Sequence, residues 1–156
     1  MLAPGEADCI AIAGMGASTI ISILEDDMEV AQSAKVLVLQ PMAGAASLRS
    51  WLCSHGWQLA AEELVDDAPH FYEIIAAKRG SAPAYSAAEC AVGPLLLAQE
   101  HPLLAKQLER QLATCRQLLE NMGRSERARA SEKYKEIEAL KAELEVLQNG
   151  KRSDSK

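Results

Sequence analysis

Two glycines near the start of the chain follow a short apolar run, and this combination could position a ligand. Residues 9–13 are mostly small and apolar, Gly14 and Gly16 come next, and a helical pattern begins at Ala17. Ligands of α/β proteins lie at the carboxyl ends of such strands, where the first N–H groups of a helix can face an anion or a polar group. Glycines needed only for a tight turn would give the same sequence, so both interpretations stay open.

Cysteine and histidine, which could also do chemistry, show no spacing typical of a metal site. The four cysteines form no C-x-x-C pair, and the three histidines are equally scattered: Cys9, Cys53, Cys90 and Cys115, and His55, His70 and His101. Dispersed cysteines favour a reducing compartment and argue against structural zinc. No apolar run reaches the roughly 18 residues of a membrane span, and the N-terminus lacks the pattern of a secretory signal. We therefore expect a cytoplasmic protein without a metal site or a membrane span.

Charge is distributed unevenly along the chain, whose net charge is −6. Residues 1–90 contain four Lys or Arg and twelve Asp or Glu, whereas residues 91–156 contain twelve basic and ten acidic residues. An acidic part followed by a mildly basic part indicates two structural units with different surfaces. The basic residues of the second part could meet a phosphate backbone, although mixed charges of this kind also occur on any solvated helix face.

The order of strand and helix patterns in residues 1–80 predicts an α/β sheet with an antiparallel edge. The expected elements are strands at 9–13 and 35–40, helices at 17–24 and 45–55, and two further strands at 57–65 and 71–78. The first two strands are continuous apolar runs, which is typical of parallel strands covered on both faces. The last two are joined by a short polar loop, which predicts an antiparallel pair.

The character of the sequence changes beyond residue 80. Residues 81–101 are rich in Ala, Ser, Gly and Pro, and we interpret them as a linker. Apolar residues then recur at intervals of three and four over 102–122 and 125–148, which predicts an antiparallel helical hairpin with coiled-coil-like packing at 102–149. The polar residues 150–156 are expected to form a disordered tail.

A series of short motifs runs through the chain in a fixed order. They are Ile12-Ala13-Gly14-Met15-Gly16, Leu39-Gln40-Pro41, Leu48-Arg49-x-Trp51-Leu52, Gly56-Trp57, Glu63-Leu64-Val65, Tyr72-Glu73-Ile74-Ile75, Val92-Gly93-Pro94-Leu95-Leu96 and His101-Pro102-Leu103-Leu104. Together with the helical hairpin, this set resembles the bacterial tRNA adenine(22)-N1-methyltransferases over residues 5–148. Members of that family take a methyl group from S-adenosylmethionine. The resemblance therefore implies part of a Rossmann-like methyltransferase domain in residues 1–80.

The resemblance also implies that some of the family's structure has no counterpart here. Family members carry a long segment before the equivalent of Pro4, with three strands of a seven-stranded sheet and the turn that holds S-adenosylmethionine. The sheet predicted here would correspond to strands four to seven. We therefore expect that this chain alone does not bind S-adenosylmethionine tightly, and that a separate N-terminal methyltransferase half is a candidate partner.

The resemblance assigns roles to individual residues as well. Ala13, Gly14, Met15 and Gly16 would border the methyl end of the cofactor, and Gln40, Pro41 and Met42 would border the target adenine. The helical hairpin would hold tRNA, with Arg110, Arg116, Arg124, Arg127 and Arg129 as candidates for phosphate contacts. Two positions depart from the family pattern: Ala17 replaces a glycine, and Met42 replaces an asparagine, whose amide can both donate and accept.

The sequence thus predicts an N-terminally truncated, S-adenosylmethionine-dependent tRNA methyltransferase that acts on adenine N1. Such a reaction needs a base taken out of its stack and close alignment of that base with the methyl donor. The alternative is a non-catalytic remnant whose helical hairpin binds RNA or a protein. A third outcome is a fragment that does not fold stably alone, because an unpaired strand edge at 9–13 favours aggregation.

Overall fold

A four-stranded sheet organises the first of two structural units. The computed structural model describes residues 2–154, and the chain divides into two units between Gln99 and Glu100. The elements of unit 1 are β1 (Cys9–Met15), α1 (Ala17–Asp26), α2 (Met28–Ser33), β2 (Val36–Pro41), α3 (Ala45–Ser54), β3 (Trp57–Asp67), β4 (His70–Arg79), α4 (Ala87–Val92) and α5 (Pro94–Ala98).

The sheet combines parallel and antiparallel pairing in the order β1-β2-β4-β3. β1 and β2 run parallel, whereas β4 is antiparallel to both β2 and β3. The predicted arrangement of two parallel strands plus an antiparallel pair is therefore confirmed. Because β1 and β2 are parallel neighbours, their carboxyl ends lie at the same edge of the sheet, as a ligand crevice would require.

The core of unit 1 lies between the sheet and its helices. Its fully buried side chains include Ile20 of α1, Leu37 and Leu39 of β2, Leu48 and Leu52 of α3, and Trp57 of β3. Each of the aliphatic ones contributes about 1.5–3 kcal/mol by leaving water. The buried residues of α1 and α3 recur at helical spacing, and those of β2 occupy alternate positions. The pattern of apolar residues in the sequence therefore accounts for the core between the sheet and the helices.

β1 is more exposed than its composition predicts. Its apolar run favours a strand covered on both faces, yet Cys9, Ala11 and Ala13 are exposed, while Ile10 and Ile12 pack only partly against the core. The reason is that Cys9, Ala11 and Ala13 share the face of β1 turned away from the core, which contacts the other face. Within residues 2–154, β1 pairs with β2 alone, so one backbone edge is left without a strand.

Residues 81–101 are more structured than a linker, because they contain α4 and α5 and remain in unit 1 up to Gln99. Ser86 begins α4 with a capping box. Its Oγ accepts from the N–H of Glu89 at 3.1 Å, and Glu89 Oε2 accepts from the N–H of Ser86 at 2.7 Å. Pro94 occupies the first turn of α5, where its missing N–H costs nothing.

Unit 2 contains α6 (Leu104–Met122), the short α7 (Glu126–Arg129) and α8 (Glu132–Asp154). α6 and α8 pack together through buried side chains at helical spacing: Leu104, Leu108, Leu112 and Cys115 of α6, and Ile137 and Leu144 of α8. The second predicted helix is divided, because Ser131 caps α8 by accepting from the N–H of Tyr134 at 3.2 Å.

The end of the chain also differs from the expectation. α8 continues through Asp154, so much of the tail predicted at 150–156 is helical, and Ser155 and Lys156 lie outside the described residues. None of the helices in residues 2–154 is long and apolar enough to cross a membrane.

Candidate functional site

The carboxyl ends of β1 and β2 bring the two predicted site segments together. Ala13 pairs with Gln40, and Met15 pairs with Pro41 after a shift in register between Ala13 and Met15. Beyond the ladder, the N–H of Met42 donates to the carbonyl of Met15 at 2.8 Å. Residues 13–16 and 40–42 therefore form one continuous backbone surface at this edge of the sheet.

Of the two glycines in the turn, Gly14 is required by the backbone. Its φ of 75° lies in the left-handed region, which favours glycine. Gly16 has an ordinary extended conformation and precedes α1 without a side-chain cap. The N–H of Ala17 donates to the carbonyl of Ala43 at 2.9 Å, and the N–H of Ile20 donates to the carbonyl of Gly16 at 3.1 Å. The N–H groups of Ser18 and Thr19 lie in the first helical turn, where the helix itself offers no acceptor. They can face a polar ligand.

Gln40 holds the Gly14 turn in place. Its Oε1 accepts from the N–H of Gly14 at 3.0 Å. Its Nε2 donates to the carbonyl of Pro41 at 3.3 Å and lies 3.5 Å from Sδ of Met42. The side chain thus links the ends of both parallel strands, and its amide is already engaged with the protein.

Two thioethers are exposed at this edge. Met15 is 40% exposed and Met42 is 56% exposed, both high values for a large apolar side chain. A thioether is flexible and polarisable, and it packs well against aromatic rings. The edge therefore offers an apolar surface beside backbone polar groups, the combination found in small-molecule sites.

Ala17, which departs from the family pattern, lies away from this surface. It is 3% exposed, and a Cβ placed on Gly44 would lie 3.0 Å from its methyl group. The extra methyl thus packs beneath the turn at Gly44, where φ is 78°. It does not reach the exposed edge formed by residues 13–16 and 40–42.

The candidate arginines all lie in unit 2 and all are exposed: Arg110, Arg116, Arg124, Arg127 and Arg129. Arg116 Nη2 lies 3.9 Å from Glu145 Oε1, and Arg124 Nη2 lies 4.0 Å from Glu120 Oε1. These are long, solvent-exposed ion pairs, and such pairs contribute little to stability. No group of three or more His, Cys, Asp or Glu side chains in residues 2–154 could hold a metal ion.

A buried ionic cluster was not predicted from the sequence. Arg49 Nε lies 2.5 Å from Glu62 Oε1, and Arg49 Nη1 donates to the carbonyl of Cys90 at 2.8 Å. Glu62 Oε2 in turn accepts from the N–H of Leu95 at 2.8 Å. Glu73 Oε2 lies 3.5 Å from Arg49 Nη1. The cluster joins α3, β3 and β4 to α4 and α5.

A β-bulge explains why Glu62 is buried. The register of β3 shifts between Leu59 and Ala61, so Ala60 has no partner in β4. Strict alternation from Leu59 would turn Ala61 and Glu63 inward. The extra residue instead turns Glu62 and Leu64 inward, as bulges do. The one sequence signal was Arg49 itself, a charge within the apolar face of a predicted helix.

A family model supports the resemblance that the motifs imply. The model described as tRNA (adenine(22)-N(1))-methyltransferase matches residues 1–149. The chain belongs to this family. It is 29% identical over 148 residues to the tRNA (adenine(22)-N(1))-methyltransferase of Bacillus subtilis, and the match covers 92% of this chain and 61% of that protein.

Solved structures of this family have the same fold. The crystal structure of the Bacillus subtilis m1A22 tRNA methyltransferase matches with a TM-score of 0.78 at 26% identity, over 94% of this chain and 65% of that one. A Streptococcus pneumoniae protein in complex with S-adenosyl-L-methionine matches with a TM-score of 0.72 at 26% identity, over 90% and 60%. The predicted Rossmann-like fold is confirmed. The chain spans about 60% of the length of these relatives.

Proposed function

We propose that this chain acts in the transfer of a methyl group from S-adenosyl-L-methionine to N1 of an adenine in tRNA. The observation that carries the proposal is the junction of β1 and β2, whose carboxyl ends lie side by side; β1 leads into α1 and β2 leads into α3. In α/β proteins, ligands lie at such an edge. Ala13, Gly14, Met15 and Gly16 border the methyl end of the cofactor in this proposal.

The neighbouring segment, Gln40, Pro41 and Met42, borders the target adenine. The exposed thioether of Met42 offers a surface against which an unstacked base can pack. Gln40 acts as a positioning residue, because its amide holds the Gly14 turn. The bound cofactor supplies the reactive methyl group, and the contribution of these residues is to align the base with it.

We also infer a partner for the free edge of β1, namely an N-terminal methyltransferase half on a separate polypeptide. A strand edge with unpaired backbone groups is a template for another strand. Beside it, an apolar groove of about 260 Å³ is lined by Ile10 and Ile12 of β1 and by Ile23, Leu24 and Val30 of the helices. Leu2 and Ile23 in this groove are 51% and 41% exposed. A partner half would cover both features.

The arginines of unit 2 bind the tRNA backbone in this proposal. The long ion pairs that two of them make with Glu120 and Glu145 are easily exchanged for phosphate, because exposed pairs are weak. Contacts with phosphate release counterions, so tRNA affinity should fall steeply as salt rises.

The decisive experiment measures transfer of labelled methyl groups to tRNA by the purified chain, alone and mixed with the segment of the Bacillus subtilis relative that this chain does not match. We expect transfer in the mixture only. A tRNA carrying guanine at the target position is the control and should stay unlabelled. Transfer by the chain alone would contradict the need for a partner.

A specific outcome would favour the alternative function. If neither sample transfers methyl groups but the chain binds tRNA with strong salt dependence, an RNA-binding module without catalysis is the better description. The arginines of unit 2 are the observation that supports this second candidate.

A further inference from the structure

A second cavity in unit 1 is lined by two cysteines. It has a volume of about 290 Å³ and lies between α3 and the segment that leads into α4. Cys53 comes from α3, Cys90 comes from α4, and Tyr85 comes from the segment between them. Both cysteines are partly exposed and both are free thiols. Nothing in the proposed methyl transfer uses this cavity.

The helix geometry places Cys53 on the face of α3 that packs beside α4. Arg49 and Cys53 are four residues apart on α3, so they share one face of that helix. From this face, Arg49 Nη1 reaches the carbonyl of Cys90 at 2.8 Å. The face that carries Cys53 is therefore packed beside Cys90, and the capping box of Ser86 and Glu89 fixes the start of α4.

The surroundings of the two thiols affect how readily each of them ionises, and Cys53 acts on Cys90. Burial raises the pKa of Cys53, with a smaller contribution from Glu62. Burial likewise raises the pKa of Cys90, and Cys53 raises it further, while Arg49 lowers it and Glu89 and Glu62 raise it. The thiolate is the reactive form, so both groups should react slowly at neutral pH and faster as the pH rises.

We propose that Cys53 and Cys90 form a dithiol modification site, which a small-molecule disulfide converts into an intramolecular disulfide bond. One protein thiolate attacks the small disulfide, which forms a mixed disulfide and releases one small thiolate. The second protein thiolate attacks the protein sulfur of this mixed disulfide and releases the other small thiolate. The protein is oxidised by two electrons, and the small disulfide is reduced to two thiols.

The bond would join α3 to α4 covalently. It closes a loop from residue 53 to residue 90 that contains the whole of β3 and β4. Since closing a loop of this size restricts the unfolded chain, oxidation should raise the melting temperature by several degrees.

The test uses the full chain incubated with excess oxidised glutathione at mildly alkaline pH. We expect peptide mapping to find Cys53 joined to Cys90 with the loss of two hydrogens from this pair, and exposed Cys9 to form a separate mixed disulfide with glutathione. The free thiols should therefore fall from four to one, because Cys115 is buried. A reducing agent should restore all four thiols. Separate glutathione adducts on Cys53 and Cys90, or two unreacted thiols there while exposed Cys9 is modified, would overturn the proposal.

The other two cysteines provide matched controls. Cys9→Ser and Cys115→Ser should still form the bond between Cys53 and Cys90, because Cys9 is exposed on β1 and Cys115 is buried in unit 2. In Cys9→Ser the intact mass should fall by two hydrogens. Cys53→Ser and Cys90→Ser should each stop at a stable glutathione adduct on the remaining thiol. If either variant fails to fold, the peptide map of the unsubstituted chain still decides the question.

Discussion

Arg49 and Glu62 form a salt bridge in which both side chains are fully buried, with 2.5 Å between Nε and Oε1. The carbonyl of Cys90 and the N–H of Leu95 supply further hydrogen bonds to this pair. A buried charge is costly unless it is paired and hydrogen-bonded. The pair therefore fixes α4 and α5 in one position against α3 and β3.

Removing one partner of this salt bridge should destabilise unit 1 strongly. Arg49→Met leaves the Glu62 carboxylate buried without its counter-charge, and losses of about 3–5 kcal/mol are typical in such cases. Denaturant unfolding of the full chain measures the loss. Lys35→Met is the matched control, because Lys35 pairs with Asp8 at 3.1 Å on the surface, where a pair contributes about 1 kcal/mol or less. Equal losses in the two variants would contradict the prediction.

The two glycines of the β1 turn should respond differently to the same substitution. A Cβ has open space at both Gly14 and Gly16, but only Gly14 has a positive φ. Gly14→Ala should therefore lower the free energy of unfolding by about 1–2 kcal/mol, while Gly16→Ala should have little effect. Chemical denaturation compares the variants directly, and an equal response would show that backbone strain is not the cause.

Gln40 should hold the Gly14 turn through its oxygen. Gln40→Glu keeps an acceptor for the N–H of Gly14, whereas Gln40→Leu removes it. A hydrogen bond of this kind contributes about 0.5–1.5 kcal/mol, so exchange of the Gly14 amide should be roughly 2- to 13-fold faster in Gln40→Leu. NMR-detected hydrogen exchange measures this rate. If Gln40→Glu exchanges as fast as Gln40→Leu, the bond does not constrain the turn.

Glu100 should stabilise unit 2 in a pH-dependent way. Lys151 Nζ donates to Glu100 Oε1 at 2.6 Å, and this hydrogen bond, together with the charge of Lys151, lowers the pKa of Glu100. A lowered pKa means that the contribution exists above the unfolded-state pKa and disappears as the pH falls through the folded-state value. Glu100→Gln should melt slightly earlier than the unsubstituted chain at neutral pH and equally in acid. Glu109→Gln removes a charge from α6 and controls for the change in net charge. A difference in melting temperature between Glu100→Gln and the unsubstituted chain that persists in acid would contradict the prediction.

The arginines of unit 2 should control the salt dependence of tRNA binding. Replacing Arg124 and Arg127 together by Ala should reduce the slope of log affinity against log salt by about two, because two phosphates would keep their counterions. Filter binding over a range of salt concentrations measures the slope. Lys35→Ala removes an exposed cation from unit 1 and should leave the slope unchanged. An unchanged slope in the arginine variant would remove these two residues from the interface.

The sequence predicts the order of the main elements because each carries a strong local signal. Leu37 and Leu39 lie in a continuous aliphatic run, and Gly56 follows the predicted helix directly. The family resemblance also follows from the sequence, since its motifs are short but ordered. The helices α2, α4 and α5 are missed, because each has six residues or fewer and their composition does not separate them from a loop. Only the capping box at Ser86 indicates α4.

The adjacency of the two candidate site segments is predictable from the sequence, but the contacts within them are not. The neighbouring positions of Gly14 and Gln40 follow from two parallel strands. That Gln40 uses its amide to hold the Gly14 turn depends on side-chain geometry that no sequence pattern encodes. The burial of Ala17 beneath Gly44 is likewise a tertiary contact. Contacts between residues far apart in the sequence therefore determine which side chains and backbone groups of the candidate site are available to a ligand.

The bulge in β3 sets how the length of this strand can vary. Ala60 is the residue without a partner, so its deletion would leave a regular ladder in which Glu62 still faces Arg49. Deletion of Glu63 would instead turn Leu64 to the opposite face of the sheet. The loss of one codon is thus tolerated at Ala60, where β3 can become shorter while the buried charges of Arg49 and Glu62 stay paired.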